Sequence, residues 1–169
     1  MGTGSRQSLF GVFRQERGGI ALEFAIIIPV FFLLVFGIVD FSHAWYLNHQ
    51  MSNASREGAR YGTRFVKDSN GIRILPQSLI PSIANYLKYN SAENGGLGGW
   101  GLSHLLPADS NLTVTPSGSG WTEANPATLP GKDLTITVSA RKTWLVIGRL
   151  VPGLGSYKDI TVSTTMKCE

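Results

Sequence analysis

At 169 residues the chain has room for a membrane helix and one small domain. The formal charge of +4 is spread over single Lys and Arg residues with no run of five or six, which excludes a nucleic-acid footprint. Its one cysteine, Cys168, excludes an intramolecular disulfide and a thiolate metal cluster, leaving an intermolecular bridge or a free thiol at a strand end.

Residues 1–18 are polar and small, with Phe10, Val12 and Phe13 the apolar exceptions and Arg6, Arg14 and Arg17 the cations. They read as a disordered or weakly helical leader. From Ile20 to Val39 the chain is almost wholly Ala, Ile, Leu, Val and Phe, with one charge, Glu23. About 20 apolar residues at about 1.5 Å each span a hydrocarbon core of about 30 Å, so the run predicts a transmembrane helix. Helix formers continue without proline from Phe41 to Val66, predicting one helix over 19–66 with its second half outside the bilayer. Pro29 removes a backbone hydrogen bond within it and predicts a kink. A secretory signal would share the basic start, the apolar stretch and the Ser42-His43-Ala44 triplet. The length of the run, Glu23 and Pro29 inside it, and the intervening Asp40 argue against that.

Glu23 is costly in a bilayer and is a functional candidate on that ground, eased by its place near the interface in the first helical turns. The alternative is a tolerated interfacial acid. Arg17-Gly18-Gly19-Ile20-Ala21-Leu22-Glu23-Phe24 resembles the cleavage and assembly motif of type IV prepilins, in which a basic leader ends in Gly and Glu is fifth in the mature chain. With Pro29 and Arg56-Glu57-Gly58-Ala59-Arg60, residues 17 to 65 resemble the TadE-like minor pseudopilins of the tight-adherence (Tad) pilus. The resemblance implies cleavage by a prepilin peptidase between Gly18 and Gly19. It implies recognition and assembly through Glu23 and Phe24, and partnership with other pilin-like subunits. It implies no catalytic activity and no cofactor.

Arg6, Arg14 and Arg17 precede the span, and no Lys or Arg follows it until Arg56, so the positive-inside rule predicts a cytoplasmic N-terminus and an extracytoplasmic remainder. Past the membrane, Ala54, Gly58 and Gly62 repeat every four residues. Arg56, Arg60 and Arg64 do the same on the opposed face. The small stripe admits a close neighbour, either a partner helix or the chain's own sheet. The Arg stripe meets partner anions or is simply solvated.

Lys67-Asp68-Ser69-Asn70-Gly71 predicts a turn. Pro76 to Tyr89 predicts a short helix with Leu79, Ile80, Ile83, Tyr86 and Leu87 on one side, its start trimmed by Pro81. Residues 90–103 are a glycine-rich loop. Leu112 to Thr115 predicts a strand and Pro116 to Gly131 a loop. Asp133 to Lys142 alternates, with Leu134, Ile136, Val138 and Ala140 on one face. After the apolar excursion Trp144-Leu145-Val146-Ile147, Ile160, Val162, Thr164 and Met166 alternate again. These elements predict an α+β fold: a leader (1–18), a long helix (19–66, transmembrane at about 20–39) and a small domain (67–169) whose short antiparallel sheet covers the helix.

Catalytic constellations are missing from the sequence. Gly96 to Gly101 spells a dinucleotide fingerprint without the strand and helix that motif needs. His43, His49 and His104 have no i,i+4 partner, so no metal site is expected. Two readings remain: a pilus assembly subunit in the bilayer, or a permanently anchored binding protein with a site built from the glycine-rich loop, Trp100, Trp121 and Trp144.

Overall fold

The computed structural model describes residues 16–89, 101–106 and 110–169. Helix α1 runs from Glu16 to Thr63, 48 residues or about 72 Å. It is followed by a 3-10 turn (Pro76–Ser78) and the short helices α2 (Ile83–Tyr89) and α3 (Leu102–Leu105). Strand β1 (Thr113–Ser117), helix α4 (Ser119–Thr122), strand β2 (Asp133–Thr143), helix α5 (Ile147–Leu150) and strand β3 (Tyr157–Lys167) complete the order. The strands form one antiparallel meander, β1-β2-β3.

The expected α+β architecture is present. Leu134, Ile136 and Val138 are fully buried and Ala140 nearly so. Ile160, Val162 and Met166 of β3 pack against the same core. Across the layer lie Leu47, Met51 and Ala59 of α1, all buried. The solvent face of the sheet is zipped by cross-strand pairs. The hydroxyls of Thr135 and Thr165 meet at 2.7 Å, as do those of Ser139 and Thr161, and the Arg141 guanidinium donates to Asp159 at 3.0 Å. Lengths match as well. From Asp40 to Thr63 the helix covers about 35 Å, and an 11-residue strand covers about 33 Å, so β2 and β3 lie along the whole second half of α1.

Several boundaries differ from expectation. The helix starts at Glu16 rather than residue 19 and stops at Thr63 rather than 66, where Val66 leaves it to accept a hydrogen bond from Ile74 N–H. The Asp68 turn forms as expected, its carboxylate accepting from Asn70 and Ile72 N–H, with Gly71 at φ +78°. The helix expected over 76–89 divides at Pro81, and Ile80 is 86% exposed rather than on the apolar side. Strand β1 extends through Pro116, which an edge strand tolerates because its missing N–H removes no central ladder bond. Cys168 is buried against Gly120, and burial pushes its thiol pKa up. That environment suits an inert thiol rather than an intermolecular bridge. Most of the glycine-rich stretch lies outside the described residues.

Candidate functional site: an exposed apolar helix and its acidic clamp

The first half of α1 is bare. Among the described residues this is one helix long and apolar enough to cross a membrane, and no residue of its apolar window is buried by them. Gly19 meets nothing where a Cβ would stand. Glu23 and Phe24 project outward, Phe24 at 63% exposure. The helix passes through Pro29 without a break in its assignment. The residues singled out for processing and assembly therefore share one uncovered helical segment.

The small stripe is occupied from within. A Cβ on Gly58 would fall 2.6 Å from Leu87, and one on Gly62 would fall 2.5 Å from Leu134 and 2.7 Å from Ile83. Ala54 packs beside the core. Of the two neighbours the sequence allowed for this stripe, the chain's own domain fills the place. Arg56, Arg60 and Arg64 stay exposed, Arg64 lying over the Tyr61 ring at 5.6 Å. Tyr61 stacks on Tyr86 with centroids 4.2 Å apart, and the Tyr86 hydroxyl donates to Glu57. Burial, with Glu57 nearby, raises the Tyr86 pKa.

The centre of the arrangement is Asp40, which the sequence marked only as the polar end of the apolar run. It is 1% exposed. Its carboxylate accepts the backbone N–H groups of Leu145 (2.9 Å), Val146 (3.0 Å) and Ile147 (3.1 Å). The buried Lys142 ammonium stands 3.8 Å away and also donates to the Thr143 carbonyl. Burial pushes the Asp40 carboxyl up, but the three donors and Lys142 outweigh it and hold the pKa below the ordinary carboxylate value. The clamp ties the end of the apolar run to the end of β2, more than 100 residues on. A second tie lies farther along, where the buried Ser55 hydroxyl donates to the Ile136 carbonyl at 3.0 Å. A third closes the far end, where Glu169 N–H donates to the Thr63 carbonyl. An acid at a membrane boundary and a lysine ending an alternating strand were the visible signals for the first.

No single aromatic site is formed by Trp121 and Trp144. Trp121 sits in α4 beside Asp133 at one end of β2, and Trp144 follows Thr143 at the other, about 33 Å along the strand. Trp100 lies outside the described residues. Among the described residues no group of His, Cys, Asp and Glu is placed to hold a metal.

The uncovered helix, its glycine pair and its clamp are what a comparison with known families can decide on. Residues 18–60 match the family model described as TadE-like protein. This is the family that the pattern from Gly18 to Arg60 resembles, and the TadE-like match covers about a quarter of the chain, all of it within α1. The sheet domain lies beyond the TadE-like segment. Searches of curated proteins and of solved structures find no match. The TadE-like match supports a Tad-pilus-associated protein, and α1 is long and apolar enough to cross a membrane.

Proposed function

We propose that this chain is a minor pseudopilin, a structural and assembly subunit of a tight-adherence pilus rather than an enzyme. It is held in the bacterial cytoplasmic membrane as a precursor, with the N-terminus cytoplasmic and the sheet domain outside. The observation that carries the reading is the TadE-like match starting at Gly18, on a helix whose apolar half is left uncovered.

A prepilin peptidase cuts after Gly18 in this reading. The Gly18–Gly19 bond lies at the beginning of the described part of α1. Each glycine there costs the helix up to about 1 kcal/mol relative to alanine. The two small residues let the peptidase approach the backbone closely. Mass spectrometry of protein extracted from membranes of a host with its peptidase should find a mature chain beginning at Gly19. A chain beginning at Met1 or at Trp45 would defeat the reading.

Cleavage frees an amine at Gly19, four residues before Glu23 and at the same helix end. A lone carboxylate costs about 2.5–3.5 kcal/mol at the bilayer centre, and an opposite charge from a neighbouring subunit offsets that cost. Glu23 thus sets register among subunits, Phe24 packs beside it, and Arg56, Arg60 and Arg64 face partner acids. Glu23→Gln should insert and be cut normally yet lose most crosslinking to partner pilins. Glu23→Asp should be partly defective. Parental crosslinking by Glu23→Gln would make this acid a bystander.

A further inference from the structure

A second apolar surface begins where the apolar run of α1 ends. Asp40 holds the amides of Leu145, Val146 and Ile147 at its own height on the helix. Ile147 reaches lower still, its Cγ2 3.9 Å from where a Cβ on Gly37 would stand, and Gly37 belongs to the apolar run. The segment between β2 and β3 is therefore level with the last turn of the spanning helix. It closes on itself: Trp144 N–H donates to the Ser156 carbonyl, and Gly148 packs against Gly155 and Trp144.

This closed loop turns apolar side chains outward. Leu145 is 65% exposed, Leu154 40% and Val151 39%. Beside them the helix exposes Phe41 at 66% and Trp45 at 64%, and Tyr157 opens β3 at 47%. Trp45 is five residues past Asp40, about 7.5 Å along the axis. The polar layer of one leaflet is about 5–8 Å deep, so with Ile20–Val39 filling the hydrocarbon Phe41 falls within that layer and Trp45, about 9 Å past Val39, stands at its outer edge. Amphipathic rings favour that layer, and an apolar patch continuous with a membrane span has lipid for its neighbour.

We propose that residues 144–156 form a second membrane contact, bedded in the interfacial layer of the leaflet on the domain's side. The proposal rests on the membrane-spanning reading of α1. The domain then touches the bilayer at two points, helix and loop, and its facing relative to the membrane surface is fixed.

The test uses the full chain in phosphatidylcholine–phosphatidylglycerol proteoliposomes. A nitroxide is placed at Leu145→Cys, Leu154→Cys, Leu33→Cys or Ser163→Cys, one at a time. Cys168 is left in place because it is buried. Collision with oxygen and with a water-soluble nickel chelate is measured at each site. Residues 145 and 154 should show an oxygen-to-nickel ratio several-fold above that at 163, an exposed mid-strand position about 20 Å farther along β3. Residue 33 should show the highest ratio. Loop positions matching 163 while 33 reads hydrocarbon would overturn the loop contact and leave the span intact. Low access of both reagents at 145 and 154 would mean a protein partner covers the loop, and would also overturn it. Aqueous values at 33 would remove the span and the proposal together.

Discussion

Asp40→Ala is expected to destabilise the folded domain by about 3–5 kcal/mol, the usual cost of breaking a buried ion pair. The carboxylate serves three amides and one ammonium, of which the Ile147 amide and the Lys142 ammonium are buried. Lys142, 4% exposed, would be left as an uncompensated buried cation, and the amides of Leu145 to Ile147 would lose their acceptor. Lys142→Met should cost less, because Asp40 keeps its three N–H donors. Urea unfolding of the full chain in detergent, followed by tryptophan fluorescence, measures both. Trp144 stacks on Phe41 next to the clamp and reports its opening. A loss under about 1 kcal/mol for Asp40→Ala would mean that water satisfies these groups and the clamp adds little.

Acid should act on the same group. Folding lowers the Asp40 pKa, so the unfolded chain takes up the proton first as pH falls. The stability it contributes is complete above the unfolded carboxyl range, near 3.9, and is lost as pH drops from there through the lower folded value. Asp40→Asn should flatten that part of the acid-unfolding curve.

Val138→Asp should unfold the sheet domain outright. Val138 is fully buried in the central strand, between Val114 and Val162. Losing the side chain's burial forfeits about 1.5–3 kcal/mol. The new carboxylate, set in the apolar cluster, adds a penalty of several kcal/mol. Small domains hold about 5–15 kcal/mol in all. Insertion of α1 should survive, since its apolar half takes no support from the sheet. Limited proteolysis of membrane fractions would show a helix-bearing fragment in the bilayer and rapid loss of residues 67–169. A protease-resistant domain would show that the assigned inner face of β2 is wrong.

Periodic features were legible in the sequence because burial imposes a period. Leu134, Ile136, Val138 and Ala140 alternate as a half-buried strand must, and all four are buried. The apolar run from Ile20 to Val39 buries none of its residues within the described domain, as a membrane-spanning composition foretold. Aperiodic features were hidden. Asp40 meets residues 105 to 107 positions away, and no spacing rule links one acid to three backbone amides. Ser55 likewise appears in sequence as an ordinary small residue between Ala54 and Arg56. The start of α1 was placed at residue 19 because the resemblance divides leader from helix there, whereas Glu16 to Gly18 are helical too. Ile80 was placed inward because the helical period was carried across Pro81, where the chain is not helical. The candidate processing site was legible only through its resemblance, since nothing in the packing distinguishes Glu23 from an interfacial acid.

The three ties along α1, at Asp40, Ser55 and Glu169, leave no hinge between the spanning helix and the sheet. Anchored as proposed, the protein is a lever with its fulcrum in the bilayer. From Asp40 to Thr63 the arm measures about 35 Å, so a tilt of about 20°, ordinary for membrane helices, swings the far end sideways by about 12 Å. Rotation of the helix about its own axis turns the sheet through the same angle. Whatever grips the apolar half thereby steers the far end, and torque applied there returns along the unbroken helix.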